Sequence, residues 1–247
     1  MEPIYRQKFT ITDLEVDCFG KLKPSMLLYY AQASAGGHCK ELALTWEDLA
    51  QKRLFWAVIR HKVRITRLPE RGETITVETW PMPTSRVAYP RAMAAYDAEG
   101  NELFCSVSLW VLMDLQTRAM VLPGKSGVEV IGTVRGNELS IPNSLLPKRL
   151  AGLCTHTVRY SQLDRNGHMN NTRYLDWVDD LLPSAFHKER KLREFVICYL
   201  AEAMEGQRIN LSWELNDSLT LQVDAHREKT EDPGKQERVF SAQLIYE

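Results

Sequence analysis

Apolar and polar positions alternate along most of this chain, and the alternation is broken by two stretches of helical period. Strand-like runs lie at about 4–12, 55–66, 73–81, 86–97 and 103–113. A helix is predicted from Pro24, which suits a first helical turn, to about Lys40, with Met26, Leu27, Tyr30, Ala31 and Ser34 on one side. Ala98-Glu99-Gly100-Asn101 reads as a turn, and the nearly continuous apolar run from Leu103 to Met113 reads as a central strand. The order then recurs: a strand at 154–160, a helix at 171–182, strands at 195–201, 207–215 and 218–227, a Pro233-Gly234 turn, and a strand at 237–246. Residues 116–150 carry Pro123, Gly124, Gly127, Gly132, Gly136, Pro142 and Pro147. We read units over 1–120 and 151–247, joined by a linker over 121–150.

The recurrence reaches single residues. At a shift of 147, Asp17, Gly20, Leu22, Leu28 and Tyr30 fall on Asp164, Gly167, Met169, Leu175 and Trp177. At a shift of 134, Val63, Ile65, Gly72, Ile75 and Val77 fall on Ile197, Tyr199, Gly206, Ile209 and Leu211. The smaller shift reflects a longer link between helix and strand in the first half. A strand, a helix and four antiparallel strands, used twice, make an α+β protein in which each sheet wraps one long helix.

Composition narrows the function classes. Lys+Arg 31 against Asp+Glu 32 gives a net charge of −1, so no global cationic field suits the chain to nucleic acid. No apolar run is long enough to span a membrane, and the N-terminus lacks the pattern of a secretory signal. Five scattered cysteines without a C-x-x-C pair argue against a disulfide framework or a zinc site and point to a reducing cytoplasm.

The two halves part company at one place. The second reads Leu163-Asp164-Arg165-Asn166-Gly167-His168-Met169-Asn170-Asn171, where the first has Val16-Asp17-Cys18-Phe19-Gly20-Lys21-Leu22-Lys23-Pro24. Asn166 thus replaces Phe19, and His168 replaces Lys21. In an extended segment Asp164, Asn166 and His168 would point to one side. Asn170 or Asn171 would cap the helix that follows, with Tyr174, Trp177, Val178 and Leu181 as its apolar stripe. Backbone N–H groups at such a helix start stabilise charge developing on a carbonyl oxygen. The same letters also spell a plain turn closed by a capping Asn.

The stretch D-x-N-x-H-x-N-N-x-x-Y-x-x-W resembles the acyl-acyl-carrier-protein thioesterases of plant plastids and bacteria. Arg53-Leu54-Phe55-Trp56-Ala57-Val58, Gly72-Glu73, Thr79-Trp80 and the segment Val107–Met113 resemble that family's first repeat in order and spacing. The likeness runs from about residue 5 to 246. It implies two tandem hotdog units and a soluble enzyme acting, without metal or other cofactor, on an acyl carrier protein bearing a fatty acyl chain. It also implies a second carboxylate after the second-half strand, and Glu202, four residues before Gly206, fills that place; the first half has Leu68 there. Glu214 is the rival, without the following Gly. Plant members carry a Cys next to this Glu, and here it is Ala203, so a cysteine nucleophile at that position is excluded.

The residues agree with this chemistry. Neither a G-x-S-x-G elbow nor an H-E-x-x-H metal motif occurs. Two carboxylates, an Asn and a His can position and deprotonate water. The expected catalytic set is Asp164, Asn166, His168 and Glu202, with Glu202 as the base, Asp164 orienting its neighbours or sharing that role, and backbone N–H groups near Gly167 taking the oxyanion. Gly167 and Asn171, with the small residues Ala31, Ala33 and Ala35 of the first helix, are the expected substrate contacts. The first half, which lacks the polar set, is expected to hold the acyl tail.

Two other features stand outside this set. Ala119 to Ser126 nearly fits a phosphate-binding loop, but two glycines and no cap follow. In the basic run Arg60 to Arg67, Arg60, Lys62 and Arg64 fall on alternate positions, which makes either a solvated sheet face or a dock for an acidic carrier protein. Competing functions are an acyl-CoA thioesterase or other hotdog enzyme, and a non-catalytic acyl-responsive regulator. Chain length, and oligomeric state, homodimer included, stay open.

Overall fold

Pro24 occupies the first turn of α1 (Pro24–Glu41), where its missing N–H removes no hydrogen bond. In this computed structural model, which describes residues 3–229, 232 and 234–247, the chain divides into two compact units, residues 1–142 and 143–247. In the first, β1 (Tyr5–Thr10) precedes α1, and β2 (Leu54–Ile65), β3 (Thr74–Pro81), β4 (Tyr89–Tyr96) and β5 (Glu102–Asp114) follow it. They pair antiparallel in the order β1-β3-β4-β5-β2, with β6 (Met120–Val121) added beside β5. Leu27, Leu28 and Tyr30 of α1 and Ile75 and Val77 of β3 are completely buried. Each such side chain contributes about 1.5–3 kcal/mol. The rings of Phe9 and Tyr30 meet at 4.8 Å, tying β1 to the helix.

Two elements fall outside the periodic pattern. The long link after α1 holds α2 (Trp46–Gln51), which starts on a capping box: Asp48 N–H donates to Thr45 Oγ1, and Thr45 N–H donates to Asp48 Oδ2 at 2.9 Å. The connection after β6 is itself packed on the first unit as far as Pro142. It holds the short α3 (Pro123–Ser126), closed by Gly127 at φ 64°. Val128 is buried with Leu49, Leu54 and Leu112, Trp80 Nε1 donates to Glu138 at 3.0 Å, and Arg135 pairs with Glu78 at 2.6 Å while lying over the Trp80 ring.

The second unit repeats the order. β7 (Gly152–Thr157) leads to α4 (Arg173–Asp179), α5 (Ser184–Glu189), β8 (Leu192–Tyr199), β9 (Arg208–Leu215), β10 (Thr220–Glu228) and β11 (Gln236–Tyr246). Its sheet runs β7-β9-β10-β11-β8, the first unit's arrangement strand for strand. The turn expected at Pro233-Gly234 falls partly outside the described residues. The helix expected over 171–182 is shorter than its first-unit counterpart. Asn170 to Thr172 form a turn of their own, and three-residue turns from Val178 to Leu182 unwind the chain ahead of Pro183, whose ring disfavours helix in the residue before it.

The duplication extends to individual hydrogen bonds. Ile11 and Gly72–Glu73 exchange backbone bonds at 2.9 and 2.8 Å; Val158 and Gly206–Gln207 do the same at 3.0 and 3.0 Å. Lys23 N–H reaches Glu15 O, and Asn170 N–H reaches Gln162 O. These matched loops set the site.

Candidate active site

Asp164 closes a tight turn. Its N–H donates to His168 O at 2.7 Å, its carbonyl accepts Gly167 N–H at 3.1 Å, and its Oδ1 accepts the N–H groups of Asn166 and His168 at 2.8 and 3.2 Å. Gly167 sits at φ +80°, a left-handed conformation that an L side chain adopts only with strain. The first unit builds the same turn. Asp17 N–H donates to Lys21 O at 2.7 Å, Asp17 Oδ1 accepts the N–H groups of Phe19 and Lys21 at 2.9 Å each, and Gly20 sits at φ +76°. The shared Asp and Gly are therefore turn formers in both units, and the side chains hung on the turn are what differ.

In the second unit Asn166 Nδ2 donates to Asp164 Oδ2 at 3.3 Å, a contact Phe19 could not make. His168 forms a β-bridge with Met204, and Met169 N–H donates to Ala203 O at 2.8 Å. Lys21 makes the matching bridge with Glu70. The bridge delivers Glu202 to the turn: its Oε2 lies 3.4 Å from His168 Nε2, with the imidazole 10% exposed and the carboxylate 43% exposed. A half-exposed carboxylate against a buried imidazole is reachable by water while held in orientation. Glu214 lies exposed opposite Gln222, at the end of β9 away from this turn.

Two expectations are corrected. The backbone N–H groups of Asn166, Gly167, His168, Met169 and Asn170 all donate within the protein, to Asp164, Ala203 and Gln162. None of these five is left to receive an oxyanion. The helix start differs too: its N-cap is Thr172, which makes no side-chain cap, while Asn170 Oδ1 accepts Thr172 N–H at 3.0 Å in the turn before it and Asn171 gives its carbonyl to the Tyr199 hydroxyl at 2.9 Å. Beneath the turn, Tyr174 packs on Tyr199 and Phe240. Burial pushes the Tyr174 hydroxyl well above its usual range, Arg227 opposes this, and the charges of Asp164 and Glu202 add to it.

Sequence reasoning missed Arg227, at the end of β10. Its guanidinium donates to the Glu202 carbonyl, to Gln207 Oε1 at 2.6 Å, and to Glu237 Oε2 at 2.9 and 2.7 Å. Gln207 Oε1 also accepts Met204 N–H at 2.9 Å. The loop that carries Glu202 is thus tied to a charged pair in the β10–β11 hairpin, where Arg227 stands directly opposite Glu237. In the first unit Ala31 and Ala35 are buried on α1, whereas Ala33 lines a surface groove with Tyr5, Gln7, Gly36, Gly37, Lys40 and Glu41.

The sequence matches the acyl-ACP thioesterase N-terminal domain family over residues 2–122 and the acyl-ACP thioesterase C-terminal domain family over residues 152–241. It is similar to a chloroplastic palmitoyl-acyl carrier protein thioesterase of Gossypium hirsutum, with 24% identity over 88% of this chain and 56% of that protein. It is also similar to a chloroplastic dodecanoyl-acyl-carrier-protein hydrolase of Cinnamomum camphora, with 25% identity over 81% of this chain and 56% of that protein. The chain spans about half the length of the curated relatives it matches. Its fold is that of an acyl-ACP thioesterase from Bacteroides thetaiotaomicron (TM-score 0.87, 24% identity, 99% of this chain and 98% of the other). A 12:0-ACP thioesterase from Umbellularia californica has the same fold (TM-score 0.83, 22% identity, 100% and 98%).

Proposed function

Because the chain belongs to the acyl-ACP thioesterase family, a two-unit hotdog family, we propose that it hydrolyses the thioester of a fatty acyl-acyl carrier protein and releases the free fatty acid. The observation that carries this reading is the approach of Glu202 to His168 on a turn whose first-unit twin has neither group. Duplication supplies the comparison: the scaffold is common, and the reactive set belongs to one unit.

Glu202 takes a proton from water as the water oxygen bonds to the thioester carbon. A positioned general base contributes about 10²–10⁴ in rate. His168 holds the Glu202 carboxylate, and Arg227 and Gln207 hold its loop. With the N–H groups of residues 166–170 committed, the Asn166 carboxamide, oriented by Asp164, donates to the carbonyl oxygen as it gains charge. Collapse of the tetrahedral intermediate breaks the C–S bond, and the departing sulfur recovers the proton from Glu202. The five cysteines, all unpaired, suit a reducing compartment such as the cytoplasm. Among the described residues no helix is long and apolar enough to cross a membrane.

Two measurements test the reading. The first compares acyl-carrier-protein and acyl-CoA thioesters of one chain length. The carrier-protein form should have the higher kcat/KM, by about tenfold or more, equivalent to about 1.4 kcal/mol of extra transition-state binding. Equal rates would make the chain a general acyl thioesterase, and water addition to an enoyl substrate without acid release would make it a hydratase. The second concerns the acyl tail, which we place against α1. Ala35→Phe should shift released acids shorter, and Ala33→Phe, on the outer groove, should not. The reverse pattern would remove the tail from this face.

A further inference from the structure

On the helix side of the first unit's sheet lies a polar set that the proposed hydrolysis does not use. Arg91 on β4 stands opposite Ser108 on β5, and Ser108 stands opposite His61 on β2. Directly paired residues share a face. This face looks at α1, because Arg91 Nη1 donates to His38 Nδ1 at 3.2 Å. Ser106, one pair along, has its hydroxyl 3.2 Å from His61 Nε2. Ser34 lies one helical turn before His38 and is completely buried.

These groups are incompletely matched. The Arg91 side chain donates to His38 Nδ1 and, at 3.4 Å, to Thr79 Oγ1, both uncharged acceptors, and among the described residues no carboxylate pairs with it. Ser34 Oγ and His61 Nδ1 are buried without a hydrogen-bond partner. Burial pushes the His61 imidazole down to about 3, so it carries no charge at neutral pH, and Arg91 keeps its own. A purely hydrocarbon chain laid here would leave a buried cation without an anion and two polar atoms without partners, each at a cost in free energy.

We infer that this face binds an acyl chain bearing oxygen at its far end, above all a terminal carboxylate, with Arg91 as its charge partner and Ser34 and His61 as further hydrogen-bonding groups. The inference rests on the acyl-thioesterase reading and adds a class of substrate to it.

The test is calorimetry on the full chain with non-hydrolysable pantetheine amides of one chain length in plain, ω-hydroxy and ω-carboxy forms. The wild type should bind the ω-carboxy amide about tenfold more tightly than the plain one, with the ω-hydroxy amide between them. Arg91→Gln should remove the carboxylate's advantage and leave the plain chain bound at least as tightly as in the wild type, since the uncompensated cation is gone. Ser34→Ala should leave the melting temperature unchanged or raised, since its hydroxyl has no partner to lose, and should weaken the ω-hydroxy amide. Plain binding as tight as ω-carboxy binding, or an advantage that survives Arg91→Gln, would overturn the inference and leave water as the occupant. Should Arg91→Gln fail to fold, an unchanged ω-hydroxy affinity in Ser34→Ala overturns it. Failure of the hydrolytic reading is separately visible, as no acid released from plain acyl-carrier protein whatever the amides do.

Discussion

Glu202→Gln is expected to lower kcat by about 10²–10⁴ with little change in KM, because it removes the base and keeps the shape. The side chain is 43% exposed, and its loop is held through the Glu202 backbone carbonyl, which the substitution leaves in place. The melting temperature should therefore stay close to that of the wild type. Glu214→Gln, on the exposed end of β9, should retain full activity. A fully active Glu202→Gln beside an inactive Glu214→Gln would move the second carboxylate to another strand.

Asp164→Asn is the second large effect, and the duplication supplies its control. Asp164 Oδ1 and Asp17 Oδ1 each accept two backbone N–H groups, so Asn at either site should weaken its turn by a similar amount, about 1 kcal/mol. Only Asp164 also uses its second oxygen, on Asn166 Nδ2. An amide nitrogen there would face another donor and release the Asn166 carboxamide. Misplacing a positioning group costs about 10² in rate. Activity should fall about that far in Asp164→Asn and not at all in Asp17→Asn, with both melting temperatures lowered alike. If Asp164→Asn lost only the activity its lowered stability explains, Asp164 would be a turn former and nothing more.

Most of the fold is legible in the sequence because it is written twice. Asp17 and Asp164, Gly20 and Gly167, and Gly72 and Gly206 mark the same turns, and β3 and β9 can be aligned from Ile75, Val77, Ile209 and Leu211 alone. What was not legible depends on competition or on distant pairing. The periodic stripe through Leu181 suggests a long second helix, but the Asn170 turn and Pro183 cut it to Arg173–Asp179. α2 is too short to show a period, although Thr45 and Asp48 spell its capping box. Arg227 acts on the Glu202 loop only once β10 and β11 have set it opposite Glu237, and no local spacing records that. The backbone N–H groups near Gly167 looked available because the sequence does not reveal that Ala203 and Gln162 accept two of the neighbouring ones.

The most direct test of carboxylate-activated water is a single turnover. An excess of the protein is mixed with one acyl-carrier protein in oxygen-labelled water, and both the released acid and the Glu202 peptide are examined by mass spectrometry. Direct attack by water predicts acid carrying one solvent oxygen in every molecule released, with no label on Glu202. Unlabelled acid from the first turnover, with the label retained on Glu202, would contradict it, since the carboxylate would then have been the nucleophile and not the base.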